Sequence, residues 1–130
     1  MMKKVIMLIS LIAICAYVFI ALSGCALGKY KKKIASTEIN SINLERIKDG
    51  EYEGFYDVFL INAKVIVKVE SNKIVSIKLI EHKHDRHSGE PMIQKVIDNQ
   101  SLEIDAISGA TNSCKTVLKA IEIALSKGQL

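Results

Sequence analysis

The sequence predicts an α+β domain, in which a small antiparallel sheet built on a hairpin is packed by two or three helices. An N-terminal signal or anchor segment precedes it. Three observations support this fold class: two adjacent segments alternate with a period of two, the last segment carries a helical apolar stripe, and the first is long and uncharged. A chain of 130 residues is long enough for one small domain.

The clearest secondary structure is a hairpin formed by residues 64–70 and 74–81. β-Branched residues alternate with mostly polar ones in both segments, and Ser71 and Asn72 make a short polar turn between them. The alternation places Val75 on the core face of the second strand. It places Ile74 on the opposite face, which we expect to be partly covered.

The remaining elements follow from shorter patterns. We expect an apolar turn within residues 39–47 and a first strand over residues 51–56, after a turn at Gly50. Pro91 suits the first turn of a helix that continues to about residue 98. The last helix is predicted over residues 113–126, where apolar residues fall on one stripe.

The first residues have the features of a secretory signal. Lys3 and Lys4 precede an uncharged run over residues 5–22, and small residues follow it. Residues 22–25, Leu-Ser-Gly-Cys, resemble a bacterial lipobox, in which Cys25 is lipidated and becomes the new N-terminus. The domain would then lie on the extracytoplasmic face of a membrane.

An uncleaved membrane anchor is the alternative. The uncharged run exceeds a typical signal core of about 7–15 residues and reaches the roughly 18 residues of a transmembrane helix. Charge does not decide between the two, because lysines lie on both sides of the run. In either case residues 1–25 are a lipoprotein signal peptide or membrane anchor, residues 26–41 are a lysine-rich tether, and residues 42–130 form the domain.

The basic residues in excess lie outside the domain. The formal net charge is +4, but Lys3, Lys4, Lys29 and the lysines at 31–33 leave 12 basic residues against 14 acidic ones elsewhere. A lysine cluster beside a membrane is suited to anionic lipid headgroups. We expect no nucleic-acid partner, because the domain itself lacks an excess of basic residues.

The most informative stretch is residues 105–113, Asp-Ala-Ile-Ser-Gly-Ala-Thr-Asn-Ser, at the start of the last predicted helix. The leading N–H groups of a helix have no internal partner and attract anions. Gly109 permits positive φ and close approach of the backbone. These features fit a phosphate site, and they equally fit a plain N-cap with Asn112 and Ser113 in the capping role.

The same stretch resembles a family motif. Residues 105–111 are similar to the flavinylation motif Asp-x-x-Ser/Thr-Gly-Ala-Thr of the FMN-binding domain family. Residues 47–54 resemble the Asp-Gly-x-Tyr-x-Gly strand of that family, and residues 80–84 and 96–102 are similar to its middle part. The resemblance covers about residues 42–127. The family includes the flavinylated domains of the Na⁺-translocating NADH:quinone reductase C subunit and of the Rnf complex G subunit. It also includes small membrane-tethered members.

The resemblance implies a cofactor, a partner and a set of site residues. By this resemblance, Thr111 would be the residue to which a flavin transferase attaches FMN, taken from FAD, through a phosphoester. Asp105 would be recognised by the transferase or would position the acceptor. The residues implied to cradle the phosphate are Ser108, Gly109, Ala110, Asn112 and Ser113. Ala106 stands where the family often has Gly.

The implied role is electron transfer through FMN with redox partners that the sequence does not identify. The chemistry belongs to the cofactor, so no catalytic residues are expected. Two alternatives stay open at this point. The domain could bind FMN reversibly, as a carrier or sensor, or it could be a non-redox lipoprotein that binds a metal through His82, His84, Asp85 and His87. Tyr52, Phe55 and Tyr56 are candidate contacts of the flavin ring.

Overall fold

The structure is a computed structural model of the chain that describes residues 1–84 and 87–130. The described elements, in chain order, are α1 (Met2–Ala35), a 3₁₀ turn (Leu44–Arg46), β1 (Gly50–Asp57), β2 (Asn62–Glu70), β3 (Lys73–Lys83), α2 (Pro91–Asn99) and α3 (Thr111–Ser126). The strands form one antiparallel sheet in the order β1-β2-β3. The predicted α+β fold class is confirmed.

The core lies between one face of the sheet and α3, which crosses β1 and β2. Val65, Val67 and Val69 of β2 are fully buried, as the alternation predicts. Val117 and Ile121 of α3 belong to the same buried cluster. Helix α2 adds Met92 and Val96 beside β3, so both C-terminal helices cover one face of the sheet.

The predicted polar turn joins β2 to β3 and consists of two residues. Ser71 and Asn72 have φ angles of 50° and 63°. Two successive residues with positive φ are typical of the type I′ turn, whose twist matches that of the flanking strands. The Ser71 N–H also donates to the Asp49 side chain at 2.9 Å, which ties the turn to the segment before β1.

The facing of β3 differs from the prediction near this turn. Val69 pairs with Ile74 while Lys68 pairs with Ser76, so Val75 is an extra residue in β3. This β-bulge reverses the two faces locally. Ile74 is therefore buried and Val75 is 43% exposed, the opposite of what the alternation predicts. The outer face is also less covered than expected, since Ile80 at a second bulge is 53% exposed.

Helix α1 extends well beyond the apolar run, to Ala35, and includes much of the lysine-rich segment that the sequence presents as a polar tether. Tyr30 and Ile34 are buried against Val58 and Ile61 of the β1–β2 loop. Among the described residues, α1 is a helix long and apolar enough to cross a membrane, a property that signal sequences share. The helix is thus compatible with a membrane anchor and is packed directly on the domain.

Candidate functional site

The candidate site is built around the first turn of α3. Thr111 is the first helical residue, and its side chain is exposed. The first backbone hydrogen bond of the helix runs from the Cys114 N–H to the Ala110 carbonyl at 2.8 Å. The N–H groups of Thr111, Asn112 and Ser113 therefore precede the helical ladder and point out of its positive end.

The plain N-cap interpretation is wrong. Ala110 occupies the N-cap position, and no side chain of the described residues caps the helix. The Asn112 amide instead donates to the Tyr30 hydroxyl of α1 at 2.8 Å. Ser113 is completely buried, and its hydroxyl has no hydrogen-bond partner in the part of the chain that the structure describes.

The turn before the helix depends on Gly109. Its φ of 82° lies in the left-handed region, which a residue with a Cβ rarely adopts. A Cβ built there would be in ordinary van der Waals contact with the His87 ring, at 3.4 Å, so the φ angle and not a lack of space favours glycine. Ala110, which follows, is buried in the core and holds the chain against the domain at the point where the helix begins.

An open cleft of about 380 Å³ adjoins this turn. It lies between the segment after β3 and the segment before α3. Its lining residues are His87, Ser88, Glu90, Pro91, Ile107, Ser108 and Ala110. Both Asp105 and Ser108 are exposed to solvent, as is Thr111. A modifying enzyme could therefore reach these three side chains from outside the domain.

A comparison with known families identifies the family of the chain. A family model described as the FMN-binding domain matches residues 61–126, just over half of the chain. The chain belongs to the FMN-binding domain family. The match extends from just before β2 to the last residue of α3, so it includes the turn at Gly109 and the first turn of α3. No curated protein shows a match to the chain.

FMN is accordingly the cofactor, and the residues present fit its phosphate. The three leading N–H groups of α3 supply donors without any arginine. The buried hydroxyl of Ser113 is one more polar group without a partner among the described residues, and leaving such a group unsatisfied costs about 1–3 kcal/mol. A phosphate oxygen would supply the missing acceptor. Gly109 keeps the approach to these donors free of a side chain.

His82 holds the segment that forms one wall of the cleft. Its Nε2 accepts the Gly89 N–H at 3.0 Å, so its Nδ1 carries the proton and donates to the Asn62 carbonyl at 2.8 Å. Gly89 is buried, and a Cβ there would meet the Ser113 carbonyl at 2.6 Å. The two hydrogen bonds of His82 thus hold the start of α2 close to the first turn of α3.

We expect His82→Ala to destabilise the domain by about 1–3 kcal/mol, because the buried Gly89 N–H loses its acceptor. Urea unfolding of the full chain in detergent measures this. His84→Ala is the matched control, since His84 directly follows β3 with an exposed side chain and surface changes usually stay within about 0.5 kcal/mol. Equal effects of the two substitutions would contradict a stabilising role of the hydrogen bond between the Gly89 N–H and His82.

The histidine segment does not form a metal site in the described part of the chain. Within residues 1–84 and 87–130, no three His, Cys, Asp or Glu side chains are grouped so that they could hold a metal ion. Both ring nitrogens of His82 are already engaged. Asp85, the fourth candidate ligand, lies outside the described residues.

The candidate ring contacts are not brought to the cleft. Tyr52 donates to the Lys48 carbonyl, Phe55 lies on the outer face of the sheet, and the Tyr56 hydroxyl contacts Thr37. The sequence reasoning also missed Tyr30, which contacts the site through Asn112. The sequence signal that could have identified Tyr30 is its spacing from Ile34. The two apolar residues lie four apart among lysines, which puts both on one face of a helix.

Proposed function

We propose that the chain is a membrane-tethered, extracytoplasmic flavoprotein that transfers electrons through FMN bonded to Thr111. The observation that carries this proposal is the exposed Thr111 side chain in the first turn of α3. Thr111 directly follows Ala110, which lines the cleft, and it lies beside the helix N–H groups that precede the helical ladder. No other hydroxyl of residues 105–113 combines exposure with a place in that helical turn.

Attachment would join the Thr111 hydroxyl oxygen to the phosphorus of the FMN half of FAD. The pyrophosphate bond of FAD breaks, AMP leaves, and the hydroxyl proton passes to a base of the flavin transferase. The chain contributes the acceptor and its presentation. Asp105 is exposed six residues before Thr111, where the transferase can recognise it.

The residues of the first turn would then hold the phosphate. The N–H groups of Asn112 and Ser113 and the Ser113 hydroxyl are the donors, and Gly109 leaves room for them. The bound flavin supplies one- and two-electron transfer chemistry. Covalent attachment suits an extracytoplasmic protein, because a flavin bound reversibly would be lost by dilution into the medium.

Helix α1 supports the membrane tether. It is apolar over the length of a bilayer, and Cys25 is exposed on its surface at the position of the lipobox cysteine. Lipidation of Cys25 after cleavage and an uncleaved anchor both attach the domain to a membrane. The partners would be the flavin transferase, the membrane and redox proteins or carriers of undetermined identity.

The experiment is coexpression of the full chain with a flavin transferase in a host that exports it. We expect the purified protein to keep flavin fluorescence in a denaturing gel and to gain the mass of one FMN. Expression without the transferase is the control and should give neither signal. Native fluorescence that disappears in SDS despite the transferase would overturn covalent attachment and favour the reversible carrier.

A further inference from the structure

We propose that the end of the domain that carries Thr111 rests on the membrane surface, where Phe59 and Leu60 contact the headgroups of an anionic bilayer. The proposal rests on the membrane tether of the proposed function and adds the orientation of the domain. The FMN attachment site would then face the bilayer rather than the surrounding medium.

The contacts of α3 with α1 and with the segment that follows α1 define the direction of α3. Asn112, in its first turn, donates to the Tyr30 hydroxyl at 2.8 Å. Glu122, near its end, accepts from the backbone N–H of Asn40 at 3.1 Å. Tyr30 lies closer to the apolar segment of the chain than Asn40 does. The helix therefore starts at the membrane-proximal end of the domain and runs away from the bilayer.

The contacts of β1 give the same polarity for the sheet. The Tyr56 hydroxyl lies 2.8 Å from the Thr37 hydroxyl, just after α1 ends, whereas Val58 and Ile61 of the loop pack with Tyr30 and Ile34 within α1. The chain that follows Tyr56 thus reaches residues of α1 nearer to its apolar part. The β1–β2 loop is therefore at the membrane-proximal end, together with Thr111.

This loop presents apolar side chains to solvent. Phe59 is 52% exposed and Leu60 is 39% exposed. The loop holds them out in a defined conformation, because Phe59 has a φ of 69° and its N–H donates to the Asp57 carboxylate at 3.1 Å. Aromatic and aliphatic side chains displayed in this way are typical of segments that enter the headgroup region.

The charge of the same end complements an anionic surface. Lys29, Lys31 and Lys32 are exposed on α1. They lie within four residues of Lys33, whose ammonium group is 5.3 Å from the Phe59 ring. Lysines immediately after an apolar helix are attracted to anionic headgroups. The domain beyond this cluster has no excess of basic residues, so the positive charge is concentrated where the apolar loop lies.

The distances allow the contact. The uncharged part of α1 extends from Val5 to Gly28, about 36 Å of helix against roughly 30 Å of hydrocarbon. Lys33 lies five residues beyond Gly28, which is about 8 Å along the helix axis from the end of the uncharged part. Helical side chains tilt toward the N-terminus of their helix, and in α1 this direction is toward the membrane. The Phe59 ring beside the Lys33 ammonium group is therefore at the level of the headgroups. A lipid on Cys25 would give the same arrangement, since it lies only about 8 Å along the helix before Tyr30.

The test uses the absence of tryptophan from the sequence. Phe59→Trp places a fluorophore in the loop, and Val75→Trp places one at the opposite end of the sheet, on an exposed residue beside the β2–β3 turn. Each full-length variant, prepared without flavin transferase, is reconstituted into vesicles of phosphatidylcholine and phosphatidylglycerol that carry bromine on their acyl chains near the headgroup. Flotation verifies incorporation.

We expect the Phe59→Trp variant to lose most of its fluorescence and to shift its emission to the blue. The Val75→Trp variant should keep its fluorescence intensity and its emission wavelength. Lys31→Glu combined with Lys32→Glu should weaken the quenching of Trp at position 59. Equal quenching at the two positions, or none at either in vesicles that float with protein, would overturn the orientation and leave the tether intact. Failure to float would overturn the tether as well. Flavin attachment does not enter the measurement.

Discussion

Thr111→Val should abolish the covalent flavin adduct completely. Valine keeps the branched shape of threonine and removes only the hydroxyl oxygen, which is the atom proposed to bond to the flavin phosphate. Thr111→Ser restores a hydroxyl at the same position and should keep the adduct. Intact mass and flavin fluorescence in a denaturing gel, after coexpression with a flavin transferase, measure both variants.

The two variants should fold as well as the parent chain. Thr111 is exposed in the first turn of α3, and substitutions at such surface positions usually change stability by less than about 0.5 kcal/mol. A loss of adduct in Thr111→Val therefore reports on chemistry and not on unfolding, provided that the thermal unfolding midpoint is unchanged. An adduct of one FMN on this variant would assign the bond to another residue.

The sheet was predictable where its signal is local. Alternation in β2 and the polar residues Ser71 and Asn72 indicate a hairpin. The structure has the alternating burial along β2 and the turn at these two residues. The facing of Ile74 and Val75 was not predictable, because a bulge adds one residue without altering the apolar composition of the strand. Only the pairing with β2 shows which of these two neighbours faces the helices.

The candidate site likewise has features that are encoded locally and contacts that are not. The helix start and Gly109 are encoded within a few residues, so the sequence places them well. The contacts of Asn112 and of His82 are not encoded locally. Asn112 contacts a tyrosine far away in α1, and His82 contacts a backbone N–H across a loop. Spacing along the chain carries no information about such contacts, and family resemblance names residues without naming their partners.

Gly54→Ala should destabilise the domain more than His82→Ala does. Gly54 lies in β1 where α3 crosses it, and a Cβ at this position would overlap the Ala120 carbonyl and lie 2.7 Å from the Ala124 backbone nitrogen. These obstacles are backbone atoms, so no rotamer change can relieve them. Helix α3 has to move away from the sheet, and we expect a cost of about 3 kcal/mol or more.

Chemical unfolding of the full chain in detergent measures this loss, with Gly28→Ala as the matched control. Gly28 lies in α1 with no neighbouring atom within 4 Å of a Cβ, so its substitution should leave unfolding of the domain unchanged. A small domain has a total stability of roughly 5–15 kcal/mol, so Gly54→Ala removes a large fraction of it. Because α3 also presents Thr111, the displaced helix should accept flavin less efficiently. A Gly54→Ala variant as stable as Gly28→Ala would show that α3 does not pack on β1 as closely as the structure has it.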